Sequence, residues 1–347
     1  MGLRARVRGD IAEQLGSGAA ENVGVRATID AARPRRRKGV RRRTIVGWSF
    51  VLPGVAVFAA FVVGPLADAV RLSFTNWSGV GAARFDGLSN VRQAVHDGLF
   101  GRSLEVTAFY VVAAVVVCFA LALLLATALH AKPPGWRVFR VVMFVPVVSP
   151  GVAMTVVWGL ILAPAPLGFL DSALGRVGLG FLEADWLGSA HLALASLVAI
   201  SVWGEVGVPT LLILAGLVRL PVELFEAARI DGASALQMLH RVTVPLLRPV
   251  FAIVTVVLLL WAIQVYTVAY VLTDGGPGTA TTVTGLYIYK VAFQDGEFGY
   301  GSALSMMFAI GMGVVALAAV RVILGNRKGG GPSGEAAQLR IEEGRGE

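Results

Sequence analysis

Long apolar segments, separated by shorter polar ones, dominate the hydrophobicity pattern of the chain. A helix that crosses a bilayer needs about 20 consecutive, largely apolar residues, and six segments meet that requirement. They are residues 45–66, 104–129, 138–162, 191–217, 249–272 and 302–324. The pattern therefore predicts an all-α membrane protein with six transmembrane helices, in a transmembrane domain that comprises residues 45–324.

Three segments lie outside the predicted spans. Residues 164–190 are partly apolar but contain proline, glycine and charged residues, which favours a short amphipathic helix at the outer interface over a seventh span. Residues 1–44 are basic, and residues 325–347 are rich in glycine and in charges of both signs. Both terminal segments are predicted to be disordered cytoplasmic tails.

The composition agrees with a membrane protein. Hydrophobic residues make up 56% of the 347 residues and charged residues 15%, whereas a soluble domain is about 45–50% apolar and about 25% charged. Cys118 is the only cysteine, which excludes an intramolecular disulfide and a cysteine-built metal site. The four histidines show no metal-binding spacing, so we expect this chain to bind no metal or cofactor.

The net charge of +8 resides in the N-terminal tail. Residues 1–47 contain 12 of the 30 Lys and Arg and 4 of the 22 Asp and Glu, so the remaining chain is neutral. The positive-inside rule places this tail in the cytoplasm, and six spans then place the C-terminus there too. We interpret the arginine run at 33–43 as a topological anchor that can contact anionic lipid, and not as a nucleic-acid site.

The polar segment between the fourth and fifth predicted spans, residues 218–248, is unusually long for a connection between two membrane helices. Good helix formers fill residues 222–231, and Gly232 then supplies a corner. A second helix is predicted from Ser234, a suitable N-cap, to Arg241. The two prolines that follow it, Pro245 and Pro249, are predicted to end it.

This segment resembles the EAA loop of ABC importer permeases, the inner-membrane components of binding-protein-dependent transport systems. The extended pattern resembles the carbohydrate-uptake branch, of the maltose and glycerol-3-phosphate type. The matching residues are Glu226, Ala227, Ala228, Ile230, Asp231, Gly232, Ala233, Val242, Val244 and Pro245. The resemblance implies a type I ABC importer fold, in which residues 218–248 form a cytoplasmic coupling loop.

The resemblance extends over most of the transmembrane domain. Further matches are Leu72–Trp77, Phe139-Arg140, Pro146, Trp158, Gly275–Gly278 with Thr281, Tyr287, Tyr289 and Phe298–Tyr300. They imply the larger type of permease subunit in a heteromeric pair. The residues before position 44 and after position 324 lie outside the resemblance.

The resemblance implies a set of partners in a bacterial cell membrane. They are two ATPase subunits at the cytoplasmic face, a second permease subunit and an extracellular or periplasmic solute-binding protein. The chain has no Gly-x-x-x-x-Gly-Lys-Ser/Thr motif, so ATP and Mg would be used by the separate ATPase subunits and this chain is not an enzyme. A sugar or sugar-like solute is the expected cargo, with glycerol phosphate or amino acids as alternatives. A secondary transporter is the rival class.

Polar residues within predicted spans indicate a candidate solute path. Glu205 lies in the fourth span, and inserting a charged residue at a helix centre costs about 2.5–3.5 kcal/mol. Gln264 and Thr267 share one face of the fifth span, with Tyr266 and Tyr270 nearby. The alternative interpretation is that these residues join helices through interhelical hydrogen bonds. The family usually has Phe-Asp where this chain has Tyr266-Thr267.

Overall fold

The computed structural model describes residues 38–324; residues 1–37 and 325–347, which contain most of the predicted tails, lie outside the described residues. The helices of the described part are α1 Lys38–Phe58, α2 Gly64–Leu72, α3 Ser89–His96, α4 Gly98–His130, α5 Trp136–Val148, α6 Gly151–Ile161, α7 Phe169–Arg176, α8 Ala193–Glu205, α9 Gly207–Val218, α10 Val222–Ile230, α11 Ala235–Met238, α12 Val244–Ala262, α13 Tyr266–Thr273, α14 Thr284–Tyr289 and α15 Phe298–Leu324. Shorter elements are the π-helical turns Ala59–Val63, Leu239–Thr243 and Lys290–Gln294, the 3-10 turn Gly180–Leu182, and strands β1 Thr75–Asn76 and β2 Arg84–Phe85.

The chain divides into two compact units, Met1–Ala67 and Asp68–Glu347. In the first unit the described residues are helical throughout, and α1 begins seven residues before the predicted start of the first span. In the second unit, β1 and β2 form a short antiparallel ribbon, with Thr75 opposite Phe85. The sequence pattern did not predict this ribbon. The helix α7 lies inside the segment 164–190, where a short helix was predicted.

Four helical stretches of the described chain are long and apolar enough to cross a membrane. They are Gly47–Leu72, Gly98–His130, Leu239–Thr273 and Phe298–Ile323. The other two predicted spans are each a pair of shorter helices joined at a bend. The all-α class is confirmed, and the prediction of six spans holds when each bent pair counts as one span.

The third predicted span is sharply bent. The helix axis bends by 103° between α5 and α6, because the chain is extended at Ser149 (ψ 142°) and at Pro150 (ψ 117°). A proline pushes the residue before it out of the helical region and offers no N–H for a helical hydrogen bond. The prediction of one continuous helix over residues 138–162 is therefore wrong.

The fourth predicted span is also bent, by 50° between α8 and α9. Pro209 lies four residues after Glu205 and has no N–H to donate to the Glu205 carbonyl. At the start of α9, Gly207 packs tightly against α5: a Cβ there would lie 2.9 Å from both the Met143 carbonyl oxygen and Val147 Cγ2. The predicted span at residues 191–217 therefore consists of two helices joined at this bend.

The fifth span begins earlier than predicted. Helical structure continues from Leu239 to Thr273, so Pro245 and Pro249 do not end the helix that precedes them, and that prediction is wrong. Pro245 comes just after the π-helical turn Leu239–Thr243, whose shifted hydrogen-bond register accommodates a residue without an N–H. Pro249 lies inside α12, and membrane helices tolerate such an interior proline.

The core of the second unit is built around α4. Every fourth residue along one of its faces is fully buried, and these residues are Tyr110, Ala114, Cys118, Ala122 and Ala126. They form one cluster with buried side chains of α8, α9 and α12, among them Leu197, Ile213 and Leu258. Four of the five α4 residues are small, which allows close packing of helix backbones in a membrane.

Candidate functional site

The Glu-Ala-Ala segment lies on α10, and the end of this helix has the geometry of a Schellman motif. The Ala233 amide donates to the Ala228 carbonyl at 2.9 Å, and the Gly232 amide donates to the Arg229 carbonyl at 3.0 Å. Gly232 has a φ of +73°. This left-handed backbone conformation is strained for a residue that carries a Cβ atom. The predicted glycine corner is confirmed.

The second helix of the segment begins with a reciprocal cap. The Ser234 hydroxyl accepts a hydrogen bond from the Gln237 amide at 3.3 Å, and the Gln237 side chain accepts one from the Ser234 amide at 2.9 Å. This arrangement is a capping box, and it confirms Ser234 as the predicted N-cap. The corner and the cap together fix the turn between α10 and α11.

The surface of the corner is open. Glu226, Ala227, Asp231, Gly232 and Pro245 are exposed, whereas Ala228 and Ala233 are half-buried. A Cβ added at Gly232 would meet no atom within 4 Å. The expected effect of a side chain at this position within the chain itself is therefore backbone strain and not a clash.

The two faces of α10 differ. One face lines a cleft of about 810 Å³ together with Thr127, His130 and Lys132 at the end of α4. That face carries Val222, Phe225, Glu226 and Arg229. The other face carries Leu224, Ala227 and Ile230, of which Ile230 is 86% exposed. Glu223 is also exposed and lies on this face, one turn before Ala227. An exposed helix face with apolar side chains of this kind is suited to binding another protein.

The bends in the third and fourth spans enclose a second site. A half-open cavity of about 220 Å³ lies between the bend that joins α5 to α6 and the last turns of α8, with Trp261 and Val268 of the fifth span completing its wall. Glu205, half-buried at the last position of α8, is the only ionisable residue that lines it. The Trp261 indole lies close to the Glu205 carboxyl group.

Tryptophan rings and hydroxyl groups form much of this cavity. Trp158 and Trp203 pack edge to face with ring centroids 5.3 Å apart. Ser149, Thr155 and Ser201 also line it, and the hydroxyls of Ser149 and Thr155 donate to the carbonyls of Val145 and Gly151. The Ser201 oxygen is buried and makes no hydrogen bond of normal geometry with the described residues. Aromatic rings beside convergent polar groups are typical of small-molecule sites.

The candidate residues of the fifth span lie elsewhere. Gln264 is exposed and donates to the Leu260 carbonyl of its own helix at 3.2 Å. Tyr266 and Tyr270 stack on each other at 5.7 Å, and both contact Tyr289. None of these side chains lines the cavity at Glu205, and neither does Thr267. The structure therefore separates Glu205 from the other four candidate residues.

Sequence reasoning missed most of the cavity lining. Trp203, Trp261 and Ser201 lie in apolar spans and carry no motif, and Trp158 was assigned only to the family pattern of the third span. Tryptophan in the middle of a span, away from the membrane interfaces where it is usual, was the available signal. Its meaning depends on the two bends, which bring the rings together.

The chain has relatives among characterised proteins. Residues 119–327 match the family described as "Binding-protein-dependent transport system inner membrane component". The "Multiple sugar-binding transport system permease protein MsmF" of Streptococcus mutans is 31% identical over 278 residues, 80% of this chain and 94% of MsmF. The "Diacetylchitobiose uptake system permease protein NgcF" of Streptomyces coelicolor is 30% identical over 316 residues, 88% of each chain.

The fold is also found in solved structures. A chain in the crystal structure of a bacterial ABC transporter that imports the acidic polysaccharide alginate superposes with a TM-score of 0.71. The superposition covers 83% of the present chain and 98% of the other, at 20% sequence identity. A chain in the crystal structure of a bacterial alginate ABC transporter in complex with an alginate pentasaccharide-bound periplasmic protein also superposes with a TM-score of 0.71, at 20% sequence identity.

Proposed function

This chain belongs to the family of binding-protein-dependent transport system inner membrane components, and from that membership we propose that it is a permease subunit of an ATP-driven importer for a sugar or sugar-like solute. With a second permease subunit it forms the translocation path, and an extracellular or periplasmic binding protein delivers the solute. The sugar systems named among its relatives support this choice of cargo. It resides in a bacterial cell membrane with both termini in the cytoplasm.

The loop at residues 218–248 couples this path to two ATPase subunits, which bind the ATP and Mg. The observation that carries this proposal is the exposed helix α10, whose Leu224, Ala227 and Ile230 face leads into the left-handed corner at Gly232. An ATPase subunit covers that face, and Asp231 supplies a charged contact at its end. Closure of the two ATPase subunits then moves α10 and rocks the spans between outward-facing and inward-facing states.

The proposed coupling is tested by comparing two glycines. Gly232→Asp is expected to abolish copurification with the ATPase subunit and solute uptake, because it strains the corner and adds a charge to the docking surface. Gly178→Asp is the matched control, since Gly178 has a φ of +81° and equally open surroundings but lies outside the loop. Normal assembly and uptake by Gly232→Asp would refute the coupling role.

The solute path includes the cavity beside Glu205. Its tryptophan rings suit the apolar faces of sugar rings, and its hydroxyl and carboxyl groups suit sugar hydroxyls. Glu205→Gln is expected to lower uptake by about tenfold through loss of a charge-assisted hydrogen bond, with the complex still assembled. Gln264→Ala, outside the cavity, is expected to retain uptake. Full uptake by assembled Glu205→Gln would remove the cavity from the path.

A further inference from the structure

The cavity between the two bent spans is lined by one acidic residue and by no basic residue. Glu205 is its only ionisable lining residue, and no lysine, arginine or histidine lines it. The salt bridges among the described side chains, Arg102–Glu105 and Lys290–Asp274, do not involve Glu205. Its neighbour Trp261 on the cavity wall is neutral. The carboxylate has therefore no fixed cation to balance it.

The helix ends beside the cavity carry partial charges of both signs. Glu205 is the last residue of α8, at a partly negative C-terminal end, whereas α6 begins at Gly151 and α9 at Gly207 with partly positive N-terminal ends. Pro209 supplies no N–H to the Glu205 carbonyl, so the bend leaves an oxygen in this region without its usual helical partner. The Glu205 carboxylate is the only full charge on the lining, and it favours a positively charged group in the cavity and opposes a negative one.

The aromatic side chains of the cavity wall also favour a positively charged ligand. Tryptophan is the aromatic side chain that attracts cations most strongly, and Trp158, Trp203 and Trp261 all line this cavity. Its volume of about 220 Å³ is smaller than the roughly 300–1,000 Å³ of pockets that hold drug-sized ligands. The cavity therefore suits a single sugar ring. The ring would pack against an indole and direct one substituent at Glu205.

We propose that this cavity selects by charge: it accepts a sugar ring that carries an ammonium group, admits a neutral ring less tightly, and rejects a ring that carries a carboxylate. The proposal rests on the proposed function and names the substrate class of its solute path. An amine-bearing ring gains an ion pair with Glu205 and a cation–π contact. A uronate ring would place two carboxylates together in a site without a cation.

The test measures binding of three single-ring probes to the assembled transporter in lipid nanodiscs without the solute-binding protein. D-glucosamine, D-glucose and D-glucuronate are titrated at pH 7, and tryptophan fluorescence reports binding. The wild-type complex is expected to bind glucosamine about tenfold more tightly than glucose, from one charge-assisted contact, and glucuronate more weakly than either. A Trp203→Phe complex should give a smaller signal change.

Variants of Glu205 separate charge from packing. Glu205→Gln is expected to remove the glucosamine preference, because glucosamine loses an ion pair, whereas glucose exchanges a hydrogen bond to a carboxylate for one to an amide and weakens by about tenfold at most. Glu205→Asp should keep the preference, and Glu105→Gln, which removes a carboxylate outside the cavity, should change nothing.

Three results would overturn the proposal. Wild-type binding of glucuronate as tight as that of glucose would refute it without any variant. An unchanged order of affinities in Glu205→Gln would refute it too, and so would a lack of binding by all three probes. Failure of the proposed function is distinguishable, because it would appear as loss of copurification with the ATPase subunit in the wild-type protein.

Discussion

The Asp97 carboxylate accepts a hydrogen bond of 2.6 Å from the hydroxyl of Tyr300, 203 residues further along the chain. The same carboxylate oxygen accepts a second 2.6 Å bond from Tyr287. Asp97 also caps α4, because its other oxygen accepts from the amides of Leu99 and Phe100. One side chain thus joins the start of α4 to α14 and α15.

Removal of one hydroxyl tests this junction. Tyr300→Phe is expected to destabilise the protein by about 1–3 kcal/mol, the range for a hydrogen bond to a charged group. Tyr287→Phe should have a similar effect. Tyr266→Phe is the control, because the Tyr266 ring contacts other rings and its hydroxyl has no bond to a carboxylate. Thermal denaturation in detergent measures the difference, and equal melting of Tyr300→Phe and Tyr266→Phe would contradict it.

The Asp97 junction should also depend on pH. Burial on its own raises the pKa of Asp97, but the hydrogen bonds from Tyr287, Tyr300 and the two amides outweigh it and hold the pKa below its usual 3.8. A carboxyl whose pKa is lowered by folding stabilises the protein above its unfolded pKa, and loses that effect as the pH falls through the folded value. Burial and the Asp97 contact raise the pKa of Tyr287, so it stays a donor at neutral pH.

The pH dependence can be measured as the difference in melting temperature between the wild type and Tyr300→Phe. The gap in melting temperature between the wild type and Tyr300→Phe is expected to be constant from pH 5 to 7 and to narrow below the usual pKa of 3.8. The gap in melting temperature between Asp97→Asn and the double variant Asp97→Asn/Tyr300→Phe should not narrow on acidification, because neither protein has the Asp97 carboxyl group. A gap that widens on acidification would show that the Asp97 charge opposes folding.

Gly207 is expected to be intolerant of any side chain. Gly207→Ala should destabilise the protein by about 1–3 kcal/mol, because its Cβ would lie 2.9 Å from a backbone oxygen of α5, which has no rotamer to change. Gly311→Ala is the matched control in a membrane helix, since its Cβ would meet nothing within 4 Å. Thermal melting of both variants measures the contrast, and equal stability would show that α5 and α9 separate easily.

Thr107 anchors the start of α14 to α4. Its hydroxyl accepts from the Thr284 amide at 2.7 Å and lies 2.9 Å from the Thr284 hydroxyl, and both residues are buried. Thr107→Val should cost about 1–3 kcal/mol, because the Thr284 amide is left buried without an acceptor. Thr127→Val is the control, as Thr127 bonds only to carbonyls of its own helix. Hydrogen exchange at the Thr284 amide should increase in Thr107→Val alone.

The segment at residues 218–248 shows which structural features neighbouring residues determine by themselves. Its glycine corner and its Ser234 cap depend on residues within a few positions of each other, so both could be predicted from spacing and side-chain type. The continuation of the helix through Pro245 could not, since it depends on a π-helical turn that shifts the hydrogen-bond register before the proline. The ribbon of β1 and β2 was missed because two-residue strands leave no periodic pattern.

The sequence by itself determined that the chain crosses the membrane, where the apolar segments lie, and which loop resembles the family's coupling loop. Apolar length and short-range motifs carry that information in consecutive residues. The tertiary structure alone decided that two spans are bent and that Glu205 shares a cavity with three tryptophans while Tyr266 and Tyr270 do not. The physical reason is that a bend needs both a proline that breaks a helical hydrogen bond and a neighbour that holds the new direction, here α5 against Gly207. Only packing between residues far apart in the sequence supplies the neighbour.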